Sequence, residues 1–404
     1  MVFRPSFNSS VNNKEDSIYD QESFRTLFLL SLSCILYGIS VGINLSSFSL
    51  YLADSDLDGS EISNILSLEV LGNIIISPFM LLLIRKFGIY RLVIISLILR
   101  GFFLTFFGFS DHELTWSIGM LGFGIAGFCL YTVIFQWINY IARSKFRATY
   151  LSIASLCFGI GIPLGPILMI IFDVNVNKDS FLISLCVSML MIIPIFMIDK
   201  TKIQNYTINF IGINQIFRFA YIPIIAAIAS EYIFFSIYEF LPLYAYINEK
   251  TQYETFLLSS YFGLSGIILG IPFGILIDKF DRVKVMIGFS ITVTILLQLI
   301  PLVINNILFT ILVFAPLSAS ITGIIVTSLA ILGDKFRGDE FVIANTIVHA
   351  MSTIGGFAGI RITGNLIELK GDLGFIYSIS ALFFVFLVLL LFTQLTKKLN
   401  GKAN

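Results

Sequence analysis

Runs of about twenty apolar residues dominate this chain, and they leave it few folds. A helix rises about 1.5 Å per residue, so a run of this length crosses a hydrocarbon core about 30 Å thick. Twelve such runs lie between charged breaks, at 25–52, 60–84, 88–110, 115–142, 148–172, 180–198, 218–247, 254–277, 283–304, 307–332, 341–368 and 372–396; we number them spans 1 to 12. Inside lipid every backbone polar group must be satisfied by the protein itself, which admits only helices or closed barrels. These runs are continuous and lack the dyad alternation of barrel strands. The expected fold class is therefore all-α, a polytopic membrane protein of twelve transmembrane helices. Composition agrees, because 57% of the 404 residues are hydrophobic and only 12% are charged, too few to cover a water-facing surface.

The placement of charge tests this map. With the first residues on the cytoplasmic side, twenty Lys and Arg fall on that side, among them Arg85, Lys86, Arg91, Arg143, Lys145, Arg147, Lys279, Arg282, Lys284, Lys335 and Arg337. The opposite side has Lys178, Lys250 and Lys370, while Arg100 and Arg361 lie within spans. Such a bias is the positive-inside signal, and it predicts a multi-pass protein of the cell (inner or plasma) membrane with both termini cytoplasmic. Residues 1–23 are polar, without the apolar stretch of a signal peptide, and read as a cytoplasmic tail. Net charge is zero, so nothing points to nucleic acid. The four cysteines, Cys34, Cys129, Cys157 and Cys186, all lie in apolar runs without metal-site spacing and read as small buried residues.

The chain also repeats itself. Ile84-Arg85-Lys86-Phe87-Gly88 aligns with Ile277-Asp278-Lys279-Phe280-Asp281, and Leu50-Tyr51 with Leu243-Tyr244, both at an offset of 193; Lys145-Phe146-Arg147 aligns with Lys335-Phe336-Arg337 at 190. The longest internal polar break separates spans 6 and 7. The organisation expected is a tail at 1–23, a six-helix bundle at 24–198, a cytoplasmic linker at 199–217, a second bundle at 218–396 and a tail at 397–404. Six being even, the halves enter from the same side as parallel repeats, which puts a substrate site near the midplane between them.

Gly274-Ile275-Leu276-Ile277-Asp278-Lys279-Phe280-Asp281-Arg282-Val283-Lys284 resembles the loop motif of the major facilitator superfamily, of the form G-x-L-x-D-K/R-x-x-R-x-K. With the six-plus-six repeat, the resemblance covers about the whole chain. It implies the major facilitator fold, a small-molecule substrate moved by alternating access, and a conformational role for Gly274, Asp278, Lys279, Arg282 and Lys284. The first half departs from the motif, with Arg85 in place of the acid and Leu81 in place of the glycine. Gly161-Ile162-Pro163-Leu164-Gly165-Pro166 in span 5 resembles part of the G-x-x-x-G-P motif of drug–proton antiporters, though small residues with proline also suit any closely packed membrane helix. Gln136-Trp137-Ile138-Asn139 and Phe240-Leu241-Pro242-Leu243-Tyr244-Ala245 are similar to stretches of the YcaD-like and drug-efflux-like branch.

An ionisable residue at membrane depth is costly and needs a partner or a purpose. Glu69, Arg100, Glu231, Glu239, His349 and Arg361 are such residues. The family resemblance places spans 1, 4, 7 and 10 around the central cavity, which singles out Glu231 and Glu239 of span 7. Each reads as a proton carrier or binder of a cationic substrate, or else as a structural carboxyl bonded to Tyr or Ser. Glu231 lies near the midplane with no basic residue close in sequence, and Tyr238 shares its helix face. Glu69 and Arg100 read as a structural ion pair, His349 as a hydrogen-bonded packing residue, and Arg361 as a residue snorkelling outward. Asn44 and Ser46, Gln136, and Ser318 with Ser320 are the milder polar residues expected near the cavity.

No arginine falls within the four cavity-lining spans away from their ends, which disfavours phosphate or polycarboxylate substrates. No catalytic or metal constellation is present, and no cofactor is implied. The function expected is secondary active transport by a monomer in lipid, with protons as coupling partner and export as the leading direction. Uptake of a nutrient or metabolite is the alternative, and a membrane-embedded enzyme or receptor the reading from a different class.

Overall fold

A computed structural model describes residues 9–110, 112–142, 147–198, 216–217, 219–336 and 339–400. The linker 199–215, the loop residues Arg143, Lys145 and Arg337, and the ends of both tails lie outside these. Helices occupy all twelve predicted positions. Ten are long and apolar enough to cross a membrane; an eleventh, span 8 (Gln252–Lys279), is bent by 44° between Gly270 and Pro272. Span 11 (Asp339–Lys370) is the most polar of the set, carrying Asn345, Thr346, His349, Ser352, Thr353, Arg361, Thr363 and Asn365. The helix of span 1 begins at Ser9, inside the segment expected to be a tail, and runs to Ala53. Span 2 breaks near Pro78 into Gly59–Ile76, a 3-10 turn at Ser77–Phe79 and Met80–Phe87, because proline lacks the amide that the helix needs there.

We call the end of the bundle rich in Lys and Arg the inner end and the opposite one the outer end. Two capping boxes start the helices that re-enter from the outer end. Asp58 and Glu61 satisfy each other's amides at span 2, and Thr251 and Glu254 do so at span 8. These pairs are related by the same offset of 193 as the loop motifs.

Lipid tails are as apolar as Leu, so helices hold together by close packing and internal hydrogen bonds rather than by escape from water. Span 1 packs on span 5 through Gly38, Gly42, Gly161 and Gly165, where a Cβ would strike the opposing backbone. Span 7 packs on span 11 in the same manner, with Gly355 against the carbonyl of Ile228 and Gly359 against that of Tyr232. The Gly161/Gly165 pair is thus a packing device within the first half. Hydroxyl groups tie the first and last helices of each half: Ser40 bonds Ser184 at 2.9 Å and Ser188 at 2.7 Å, and Tyr232 bonds Ser378 at 2.6 Å. The outer surface is apolar, with Leu302 79% and Phe109 83% exposed, as suits contact with lipid. Cys34 and Cys129 are buried as expected, whereas Cys157 is half-buried and Cys186 is exposed on this surface.

Toward the outer end one apolar core runs across both halves, joining Phe48, Leu66, Phe123 and Phe181 to Ile233, Phe240, Phe262 and Phe375. Two smaller clusters each stay within one half. One belongs to the first half, around Leu30, Val93, Ile134 and Ile195, and the other to the second half, around Ala220, Leu332 and Val348. Cross-half approaches follow this pattern. A Cβ at Gly59 would come 2.6 Å from the carbonyl oxygen of Gly364, the Val176 amide donates to Gln252 Oε1 at 3.1 Å, and Gly263 lies on Pro163. Among the described residues the halves touch at the outer end and again further in, where Tyr131 meets His349.

Candidate functional site

Glu231 is half-buried on span 7 (Tyr221–Ile247), ten residues from the inner start of the helix and so about 15 Å deep. Its charged neighbour is His349 of span 11. The expectation that no base stands near Glu231 therefore fails in space. Glycines at 355, 356 and 359 let span 11 lie flush on span 7, against Ile228, Phe235 and Tyr232. His349 is exposed, with Nδ1 3.3 Å from Ser352 Oγ. Opposite stands Tyr131 of span 4, a residue of the other half; its ring meets the imidazole edge-on at 6.4 Å between centroids, and Glu231 acts on it electrostatically. Tyr131 escaped sequence reasoning because a tyrosine in an aromatic-rich span has no distinguishing pattern.

Nearer the outer end lies a second group. Glu239 is fully buried and neither carboxylate oxygen has a hydrogen-bond partner. The charge that acts on it is that of Glu69, on span 2 of the opposite half. Arg100 of span 3 is the charged neighbour of Glu69. Its guanidinium lies 3.8 Å from the ring centroid of Phe123 and 4.9 Å from that of Tyr37, so aromatic faces share the cation with the acid.

The remaining predicted residues separate. Tyr238 packs on Phe234 at 4.5 Å and on Phe262 at 5.8 Å, facing span 8. Asn44 is 2% exposed with both amide atoms unpartnered, and Gln136 is half-buried beside Trp137. Ser46 is buried. Ser318 donates to the Phe262 carbonyl at 2.6 Å and Ser320 to that of Pro316 at 2.7 Å. Arg361 is half-buried on span 11.

The loop between spans 8 and 9 is organised around Arg282. It pairs with Asp334 at the end of span 10 at 2.5 Å and donates to the Ala330 carbonyl. Asp281 caps span 9 by accepting from the Lys284 amide at 3.0 Å. Asp278, Lys279 and the Lys284 side chain are exposed, and a side chain at Gly274 would meet nothing within 4 Å. In the first half the offset of 193 puts Ile89 where Arg282 stands, so the equivalent ion pair does not exist.

A model of the Major Facilitator Superfamily matches residues 30–269 and 250–403. The uncharacterized MFS-type transporter YfkF of Bacillus subtilis (strain 168) is 23% identical over 279 residues, covering 66% of this chain and 69% of that protein. Among solved structures, a mutant form of the nucleoside transporter NupG aligns with a TM-score of 0.75 at 11% identity, covering 90% of this chain and 99% of that one. A bacterial homolog to the human lysosomal transporter Spinster, in an inward-facing and unoccupied conformation, aligns with a TM-score of 0.71 at 11% identity, covering 91% and 95%. At that identity the likeness is one of fold.

Proposed function

Because the chain belongs to the Major Facilitator Superfamily and moves a small molecule across the membrane, we infer that it does so as a proton-coupled exporter with Glu231 as the coupling group. The observation that carries this reading is the meeting of Glu231, His349 and Tyr131 where the two halves face each other. An acid and an imidazole at a boundary that opens and closes hold a proton differently in each state. When the inner end opens, a cationic or amphipathic substrate reaches Glu231, takes the place of the proton as its partner, and the proton leaves to the inside. After the halves rock, a proton from outside restores the neutral carboxyl and releases the substrate outward. The want of an arginine in spans 1, 4, 7 and 10, away from their ends, fits a substrate that is not a phosphate.

Everted vesicles carrying the protein test this. Addition of an amphipathic cation such as ethidium to vesicles with an acid interior is expected to dissipate the pH gradient. Glu231→Gln is expected to abolish that response while the protein still reaches the membrane in normal amount. His349→Gln is expected to shift its pH profile. A full response from the Glu231→Gln protein sinks the assignment, and co-directional movement of substrate and proton would make the protein an uptake symporter.

A further inference from the structure

The buried group at the outer end has one carboxyl too many. Arg100 is only 2% exposed and is held between the rings of Phe123 and Tyr37; Tyr37 is itself anchored by its hydroxyl to the Gly127 carbonyl at 3.0 Å. Gly127 makes the room, because a Cβ there would come 2.6 Å from Arg100 Nη1. The guanidinium is thereby fixed in the first half, with Glu69 as its charged neighbour, although the ion pair expected between them is not formed among the described residues. Glu239 comes from the second half, is fully buried, and has no donor for either oxygen. The charge acting on it has its own sign.

Other ionisable groups stand on the helices packed against span 7. Among the described residues they include His349, Arg361 and Glu368 on span 11 with Glu340 and Lys370 at its ends, Asp372 and Tyr377 on span 12, Glu254, Tyr253 and Tyr261 on span 8 with Asp278 and Lys279 at its inner end, Asp334 and Lys335 at the inner end of span 10, and Arg25, Cys34, Tyr37 and Tyr51 on span 1. His349 serves Glu231, and Asp372 acts on Tyr244, leaving Glu69 as the charge that meets Glu239. An ionised carboxylate buried without a donor and next to a second carboxylate is not sustainable, so closure at Gly59–Gly364 and Val176–Gln252 requires a neutral Glu239.

We propose that Glu239 is a second proton-binding site, distinct from Glu231, and that with Glu69 and Arg100 it makes closing of the outer end conditional on binding one proton from outside. When the outer ends part, Glu239 leaves Glu69, meets water and ionises; it must bind a proton again before the halves can close. A metal cation does not fit the group, since Arg100 already supplies a positive charge beside it. The proposal rests on alternating access and not on the role of Glu231. Its test uses no substrate, so its failure leaves the transport reading untouched.

Spin labels on Asp54→Cys and Lys370→Cys, one at the outer end of each half, report opening in lipid nanodiscs when the four native cysteines are replaced. Pulsed EPR from pH 5 to pH 9 is expected to show a longer-distance population that grows with pH along a one-proton curve. Glu239→Gln should hold the short distance at every pH, and Glu239→Asp should keep the response. Glu69→Gln removes the like charge and leaves Arg100 free to serve Glu239, so its midpoint should move upward by one pH unit or more. An unchanged pH response in Glu239→Gln, or in Glu69→Gln should the first variant misfold, overturns the proposal. So does opening that follows sodium concentration at fixed pH.

Discussion

Gly161 lies against the carbonyl of Ile35 so closely that a Cβ would collide with it, and Gly355 does the same to Ile228 in the other half. Gly165 on Ile39 and Gly359 on Tyr232 repeat the contact one turn further along. Each half is therefore held by a glycine seam between its first and fifth helices, and the two seams are copies.

Alanine in a seam should destabilise its half. Gly161→Ala and Gly355→Ala are each expected to cost about 1–3 kcal/mol through overpacking, seen as a lower melting temperature in detergent. Gly288→Ala, which meets nothing within 4 Å, is the control and should melt like the parent. Equal melting of all three proteins would show that the seams yield without cost.

Closure of the outer end should be trappable. The Val176 amide donates to Gln252 Oε1 across the halves, so Val176→Cys with Gln252→Cys, in a background without native cysteines, is expected to be joined by a short bis-methanethiosulfonate crosslink. Transport should stop when it forms and return with reductant. Efficient crosslinking without loss of flux would mean that this contact persists through the cycle.

The ion pair of Arg282 with Asp334 is half in water and contributes less than about 1 kcal/mol to stability. Its expected effect is on the rate of switching. Asp334→Asn should slow transport severalfold without moving the melting temperature by more than a degree or two. Asp278→Asn and Arg85→Gln should be milder, because both side chains are exposed. The exchange Arg282→Asp with Asp334→Arg should restore part of the rate, and no recovery would argue against a role for the pair itself.

Orientation is open to labelling. Asp54→Cys is expected to react with an impermeant maleimide applied to intact cells, and Lys279→Cys only after permeabilisation; both positions are exposed. The reverse pattern would invert the bundle and the direction of every step inferred here.

The twelve helices, the division into two halves and the charged residues at depth were all legible in the sequence. Length and hydropathy are one-dimensional quantities, and lipid translates them directly into helices. The repeat was legible too, and the capping boxes at Asp58–Glu61 and Thr251–Glu254 carry it further than the loop motifs alone suggest. Tertiary packing decided the partners. That His349 answers Glu231, that Tyr131 faces both, and that Glu239 meets another acid depend on which helix faces lie together and at what depth. Those faces are set by glycines whose contacts lie a hundred or more residues away in sequence, at Gly161 on Ile35 and Gly355 on Ile228. No periodicity along a single span records which neighbour it will meet, and the sign of a buried charge's surroundings is a property of the assembled bundle.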